Sequence, residues 1–145
     1  AKMLALEQMM RQALARSEFS LAYQPQVDAT DGRLVGVEAL LRWNNPELGQ
    51  VSPAHFIPIA EATGLIVPIG EWVLHEACRQ AHSWLRTLGA EIPVAVNLSA
   101  RQFASENLLD TVRRILDETG LPTHLLELEI TEGALMNDPA GATAT

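Results

Sequence analysis

The chain has 145 residues, of which 48% are hydrophobic and 19% charged, and its net charge is −8. That length supports one domain with a real core, and the composition excludes a disordered chain. The acidic balance is unsuited to bulk binding of DNA or RNA through phosphates, although one small anionic ligand in a local pocket stays compatible if metal ions supply positive charge. The lone cysteine, Cys78, rules out an internal disulfide and suits a reducing compartment as a buried thiol. Glu7, Gln8 and Arg11 interrupt the start, so residues 1–16 carry no signal-peptide core. No window approaches the ~18 apolar residues of a membrane span. A cytoplasmic location is therefore expected, with no membrane contact from this segment; an anchor elsewhere in a longer parent protein stays compatible.

Residues 3–16 read as a helix with Leu6, Met10, Ala13 and Leu14 on one stripe. Residues 20–27 read as a strand that Pro25 pushes toward a sheet edge. Asp31-Gly32 signals a hairpin turn, and residues 34–42 form the returning antiparallel strand. A loop with Asn44, Asn45, Pro46 and Gly49 follows. Ser52-Pro53 then caps a helix that Gly64 closes. A longer helix spans about 68–88, with Ile69, Val73, Ala77, Ala81, Leu85 and Leu88 inward and Gly89 as its cap. Residues 93–98 are a short apolar run that suits a strand covered on both faces. A helix is expected over about 105–119, capped by Ser105 or Ser99, with Leu109, Val112, Ile115 and Leu116 inward. Residues 125–131 alternate as a strand, and Asp138-Pro139-Ala140-Gly141 reads as a turn. Apolar strands separated by helices imply right-handed crossovers and a parallel sheet. About four strands fit either a small open α/β sheet or half of a closed eight-stranded barrel.

Three polar positions stand out at strand ends. Alternation over Val37-Glu38-Ala39-Leu40-Leu41-Arg42 puts Glu38, Leu40 and Arg42 on one face and Val37, Ala39 and Leu41 on the core face. A Glu38–Arg42 ion pair at a sheet end accounts for this segment as well as a site does. Asn97 closes the run Pro93-Val94-Ala95-Val96, where the ends of parallel strands face ligands; there it offers a neutral oxygen ligand or a helix cap. In Glu127-Leu128-Glu129-Ile130-Thr131-Glu132, Leu128 and Ile130 face the core, and Glu127, Glu129 and Thr131 share the other face. Two carboxylates and an amide converging at one end of a parallel array suit a hard cation, Mg²⁺ or Mn²⁺. His55, His75, His82 and His124 show no ligand spacing and read as surface or packing residues. There is no glycine-rich phosphate loop, nucleophile elbow or Cys/His pair.

These segments resemble the EAL domain family. Tyr23-Gln24-Pro25, Glu38-Ala39-Leu40-Leu41-Arg42-Trp43, Phe56-Ile57-Pro58-Ile59-Ala60-Glu61 with Gly64-Leu65-Ile66, Ile69-Gly70-Glu71-Trp72-Val73-Leu74, Val96-Asn97-Leu98-Ser99 and Glu127-Leu128-Glu129-Ile130-Thr131-Glu132 match its motifs in order, over about residues 4–133. The resemblance implies an α/β fold, a TIM-type barrel whose first strand is antiparallel, of which residues 1–145 are a partial domain amounting to roughly the first half. It implies hydrolysis of cyclic di-GMP to the linear dinucleotide by metal-activated water, with Mg²⁺ or Mn²⁺. By the family pattern Glu38, Asn97 and Glu129 are metal ligands, Arg42 contacts phosphate, Gln24 and Leu40 line the ligand pocket, and Glu132 supports the active-site loop. The family's Asp-Asp-Phe-Gly-Thr-Gly loop, downstream Lys and late Glu are not in these 145 residues, so the chain alone is expected not to turn over substrate. A catalytically silent EAL domain that senses cyclic di-GMP is the alternative, a bare scaffold a third. The resemblance leaves a homodimer and an upstream signalling domain open.

Overall fold

The computed structural model of the chain describes residues 2–130, with side chains from residue 5. Helix α1 spans Lys2–Ala13 and rests Met10 and Ala13 on the core, with Leu6 and Leu14 half-buried beside them. Strands β1 (Phe19–Val27) and β2 (Leu34–Asn45) form the antiparallel hairpin that the Asp31-Gly32 signal implies. Asp28 and Asp31 shape the turn by accepting from the Thr30 and Arg33 backbone N–H groups, and Gly32 takes the left-handed conformation at φ +70°. The bonds from Thr30 also hold the Asp28 carboxyl below its ordinary pKa. β1 lies at the sheet edge, where Pro25, which has no N–H to donate, is tolerated.

β2 runs three residues past the expected end and turns back through the short strand β3 (Gly49–Val51). The expected loop is therefore a second hairpin. Asn45 accepts from the Glu47 and Leu48 N–H groups and so builds the turn with its own side chain. Ser52 caps α2 (Pro53–Thr63) and Gly64, at φ +82°, ends it. α3 (Ile66–Leu88) starts two residues earlier than periodicity suggests, at a 119° bend from α2. Among the described residues no single helix is long and apolar enough to cross a membrane.

Strand β4 (Val94–Leu98) is followed by the short helix α4 (Ala100–Ala104), which the sequence reading missed, and only then by α5 (Leu108–Thr119). Ser99 caps α4, and Asn107 precedes α5 without a side-chain cap, so neither serine caps the long helix. β5 (Leu126–Ile130) completes the sheet in the order β1-β2-β4-β5, with β3 beside β2. β2, β4 and β5 run parallel, as helical crossovers require. The result is a mixed α/β fold with an open sheet over the described residues. The expected turn at residues 138–141 lies outside them.

The core lies between this sheet and α1, α2, α3 and α5. Phe56, fully buried, meets Trp43 edge-on at 5.5 Å and Phe19 at 6.1 Å. Trp43 Nε1 donates to Glu18 Oε1 at 2.9 Å and Asn45 Nδ2 donates to the same oxygen at 3.2 Å, so the 8%-exposed Glu18 carboxylate is held by two donors. Three apolar positions expected inward are exposed. Leu109 turns about 100° away from the inward line of Leu108, Val112 and Ile115. Leu88 is the last residue of its helix, beyond the half-buried Leu85. Leu128 sits on β5, the edge strand of the described sheet.

Two predictions follow from this packing. Phe56→Ala should cost about 3–5 kcal/mol, read as a lowered urea midpoint, because the rigid Trp43 and Phe19 rings leave its cavity open. Burial pushes the Tyr23 hydroxyl from 10.0 up to about 12, with the Glu76 charge adding to it, and burial alone pushes the Cys78 thiol from 9.0 up to about 11. Both acids are more protonated in the folded state, so their contribution is complete below the unfolded values and is lost as pH rises through the folded ones. Urea unfolding should therefore show stability falling across roughly pH 9 to 12. Tyr23→Phe should flatten that slope while preserving the edge-on contact with Trp84 at 5.1 Å.

Candidate functional site

Paired residues of neighbouring strands project to the same face of a sheet. In the β1–β2 register Gln24 lies opposite Glu38; in β2–β4 Glu38 lies opposite Ala95; in β4–β5 Asn97 lies opposite Glu129. Ala95 and Asn97 are two apart and so share a face. Gln24, Glu38, Asn97 and Glu129 therefore occupy one face, and Leu40 and Arg42 continue it along β2. The other face carries Val37, Ala39, Val94, Val96 and Leu98, all buried.

The contact that joins the strands is direct. Asn97 Nδ2 donates to Glu38 Oε2 at 2.8 Å, across 59 residues of sequence. It is a diagonal contact, since Glu38 pairs with Ala95 and Asn97 lies two residues further along β4. Among the described residues nothing donates to Asn97 Oδ1, and no Lys, Arg or His pairs with Glu38 or Glu129. The alternative Glu38–Arg42 ion pair is not formed: Arg42 spends Nη1 on the Leu41 carbonyl at 3.4 Å. A cleft of about 160 Å³ opens at this end of the sheet, lined by Leu40, Arg42, Ile57, Ile69, Gly70 and Asn97. Gln24 is exposed on the neighbouring edge strand and does not line it. Glu132 lies outside the described residues.

This donor set fits a hard divalent cation in kind. Glu38, Asn97 and Glu129 offer only oxygens, and Glu38 and Glu129 are half-buried without a counter-charge among the described residues. Three protein oxygens leave the other positions of an octahedral Mg²⁺ to waters, phosphate oxygens or further side chains. Among the described residues no three His, Cys, Asp or Glu side chains gather, so the third donor here is the neutral amide. The histidines lie elsewhere: His75 Nε2 is 3.4 Å from Glu118, His124 Nε2 is 3.4 Å from Glu91, and His82 packs against Gly120.

Sequence reasoning missed the support behind Asn97. Ser99 Oγ accepts from the Gln102 N–H at 3.3 Å, and Gln102 Oε1 accepts from the Ser99 N–H at 3.1 Å. This reciprocal capping box was visible as Ser99-x-x-Gln102, a Ser followed three residues later by Gln.

Comparison with known proteins agrees with this geometry. A family model described as EAL domain matches residues 7–145. A curated relative from Pseudomonas aeruginosa, the bifunctional diguanylate cyclase/cyclic di-GMP phosphodiesterase MucR, is 54% identical over 130 residues, covering 89% of this chain and 19% of its own length. Among solved structures, the PaMucR phosphodiesterase in its c-di-GMP complex superposes with a TM-score of 0.90 at 49% identity, over 97% of this chain and 57% of that one. The Xanthomonas citri FimX EAL domain in complex with c-diGMP gives a TM-score of 0.83 at 28% identity, over 97% of this chain and 54% of that one. The chain thus spans about a fifth of its curated relative and somewhat over half of these solved chains.

Proposed function

The chain belongs to the EAL domain family, and from that premise we propose that it supplies part of the active site of a cyclic di-GMP phosphodiesterase, a hydrolase that opens one phosphodiester bond to give the linear dinucleotide. The observation that carries the reading is the Asn97–Glu38 contact at 2.8 Å, with Glu129 opposite Asn97 in the next strand and Arg42 on the same face. A relative named for this activity and a solved c-di-GMP complex of similar fold support it.

Each residue takes a role its chemistry allows. Glu38, Asn97 and Glu129 would hold Mg²⁺ or Mn²⁺ through oxygen. Such a cation, when bound, supplies charge that polarises the phosphate and acidifies a water at neutral pH. Arg42 is free to present its remaining N–H donors to a phosphate oxygen, because its one bond within the described residues is the weak one to Leu41. Leu40 gives the cleft an apolar wall against which a base or sugar edge packs. Gln24, opposite Glu38 on β1, contacts ligand from the rim. By the family pattern Glu132 supports the active-site loop. The remaining oxygen ligands come from other parts of a complete EAL domain, so the 145-residue chain by itself does not turn over substrate. A cytoplasmic location is part of this proposal.

The test is hydrolysis of cyclic di-GMP by a complete domain containing this chain, with Mg²⁺ or Mn²⁺ added. Linear product is expected, and Glu38→Ala should lower kcat by more than the roughly 10–100-fold that loss of an outer-shell partner costs. Arg42→Ala should raise KM more than it lowers kcat, since its contact to phosphate exists in the ground state. A complete domain that binds cyclic di-GMP yet releases no product would replace the enzyme with a sensor.

A further inference from the structure

The short helix α4 is fastened to the bend between α2 and α3 by two side chains, and each sits over a glycine. Arg101 Nη2 donates to the Ala62 carbonyl at 3.4 Å, and a Cβ at Gly64 would come within 2.5 Å of its Nη1. Gln102 sits against α3, where a Cβ at Gly70 would lie 1.8 Å from its Nε2 and 2.5 Å from its Cδ. Gly70 has helical φ, so what it provides is space and not a special backbone conformation. Gln102 has no slack to give, being 6% exposed and bonded at both its backbone N–H and its Oε1 to Ser99. Ser99 follows Asn97 by two residues.

We propose that Gln102, seated on Gly70, is a positioning residue for Asn97. It pins the turn at which β4 ends, and so fixes where the amide meets Glu38. The chain of contacts is Gly70 to Gln102, Gln102 to the Ser99 N–H, then Ser99 through Leu98 to Asn97. Without it the Ser99 N–H loses its side-chain acceptor, and the turn keeps the Gln102 N–H to Ser99 Oγ and Phe103 N–H to Ser99 carbonyl bonds but not the reciprocal half of the box. The cleft depends on the same seat, since Gly70 and Asn97 both line it. The inference rests on the reading of Glu38, Asn97 and Glu129 as a divalent-cation site.

The experiment uses a complete domain containing this chain as wild type, Gln102→Leu, Gln102→Glu and Gly70→Ala. Three quantities are read: hydrogen exchange at the Ser99 amide, Mn²⁺ affinity by calorimetry, and melting temperature. Gln102→Leu keeps the volume and loses the acceptor, so Ser99 should exchange faster and Mn²⁺ affinity should fall roughly 10–100-fold, the range for loss of a group that orients a metal ligand. Gln102→Glu restores an acceptor at the third position of the capping box, and should return both quantities toward wild type. Gly70→Ala displaces an intact Gln102 and should reproduce the loss. Unchanged Ser99 exchange in Gln102→Leu overturns the proposal. So does a lower melting temperature with unchanged Mn²⁺ affinity, which is what a merely structural glutamine would give. If the wild-type domain takes up no Mn²⁺, the cation reading itself falls and the positioning role with it; that result is distinct because it appears before any substitution is made.

Discussion

Everything at the cleft end of this sheet depends on the parallel register that sets Glu38 across from Ala95 and Asn97 across from Glu129. A slip of one residue on any of these strands would turn its polar side chains to the opposite face, into the layer occupied by Val37, Val94 and Val96. That layer makes the slip costly: Val94 and Val96 are buried to within 1% of complete. The apolar face thus chooses the register, and the polar face inherits its geometry.

The two faces place different demands on the chain, and this explains which parts were legible in sequence. Alternation along residues 37–42 and 125–130 gave the faces, and helical periodicity gave α1 and α3, because both signals come from burying one side of an element. Ser52-Pro53, Gly64, Gly89 and Asp31-Gly32 marked their boundaries correctly, because each acts through its own backbone or the next few residues. What failed to show was set by neighbours distant in sequence. The β2–β3 hairpin depends on Asn45 folding over its own turn while Glu18 receives its amide. α4 has five residues, too few for a period to appear. Leu109 has the right spacing to Leu116 to look inward, but the packed line of α5 runs through Leu108 and Ile115. Leu128 shares the covered face with its partner Val96, but β5 is the edge strand of the described sheet and leaves it 37% exposed.

The site residues were legible to a similar degree and for similar reasons. Residue type and strand position singled out Glu38, Asn97 and Glu129, and the family motifs gave them roles. The register that brings them to one face, and the bond from Asn97 to Glu38, require three strands to be assembled. No spacing along one strand contains that information. The absence of a Glu38–Arg42 pair is likewise a matter of orientation, since both residues lie on the face that periodicity assigned them and Arg42 turns to the Leu41 carbonyl.

Two glutamates differ in a way that separates the proposed site residue Glu38 from Glu18, a residue of the framework. Glu18 stands just before β1 and Glu38 within β2, and both accept from an asparagine amide. Glu18 is 8% exposed and has two donors on one oxygen, from the Trp43 indole and Asn45, so its charge is met by groups that the core already holds in place. Removing it would strand both donors in the interior, which costs stability. Glu38 is half-exposed and has one donor, from a residue that is itself exposed. Glu38 does not itself line the cleft, but its partner Asn97 does, together with Arg42 further along the same face of β2. A framework carboxylate is satisfied by its own fold, whereas this one is left short at the place where a cation and a phosphate would complete it.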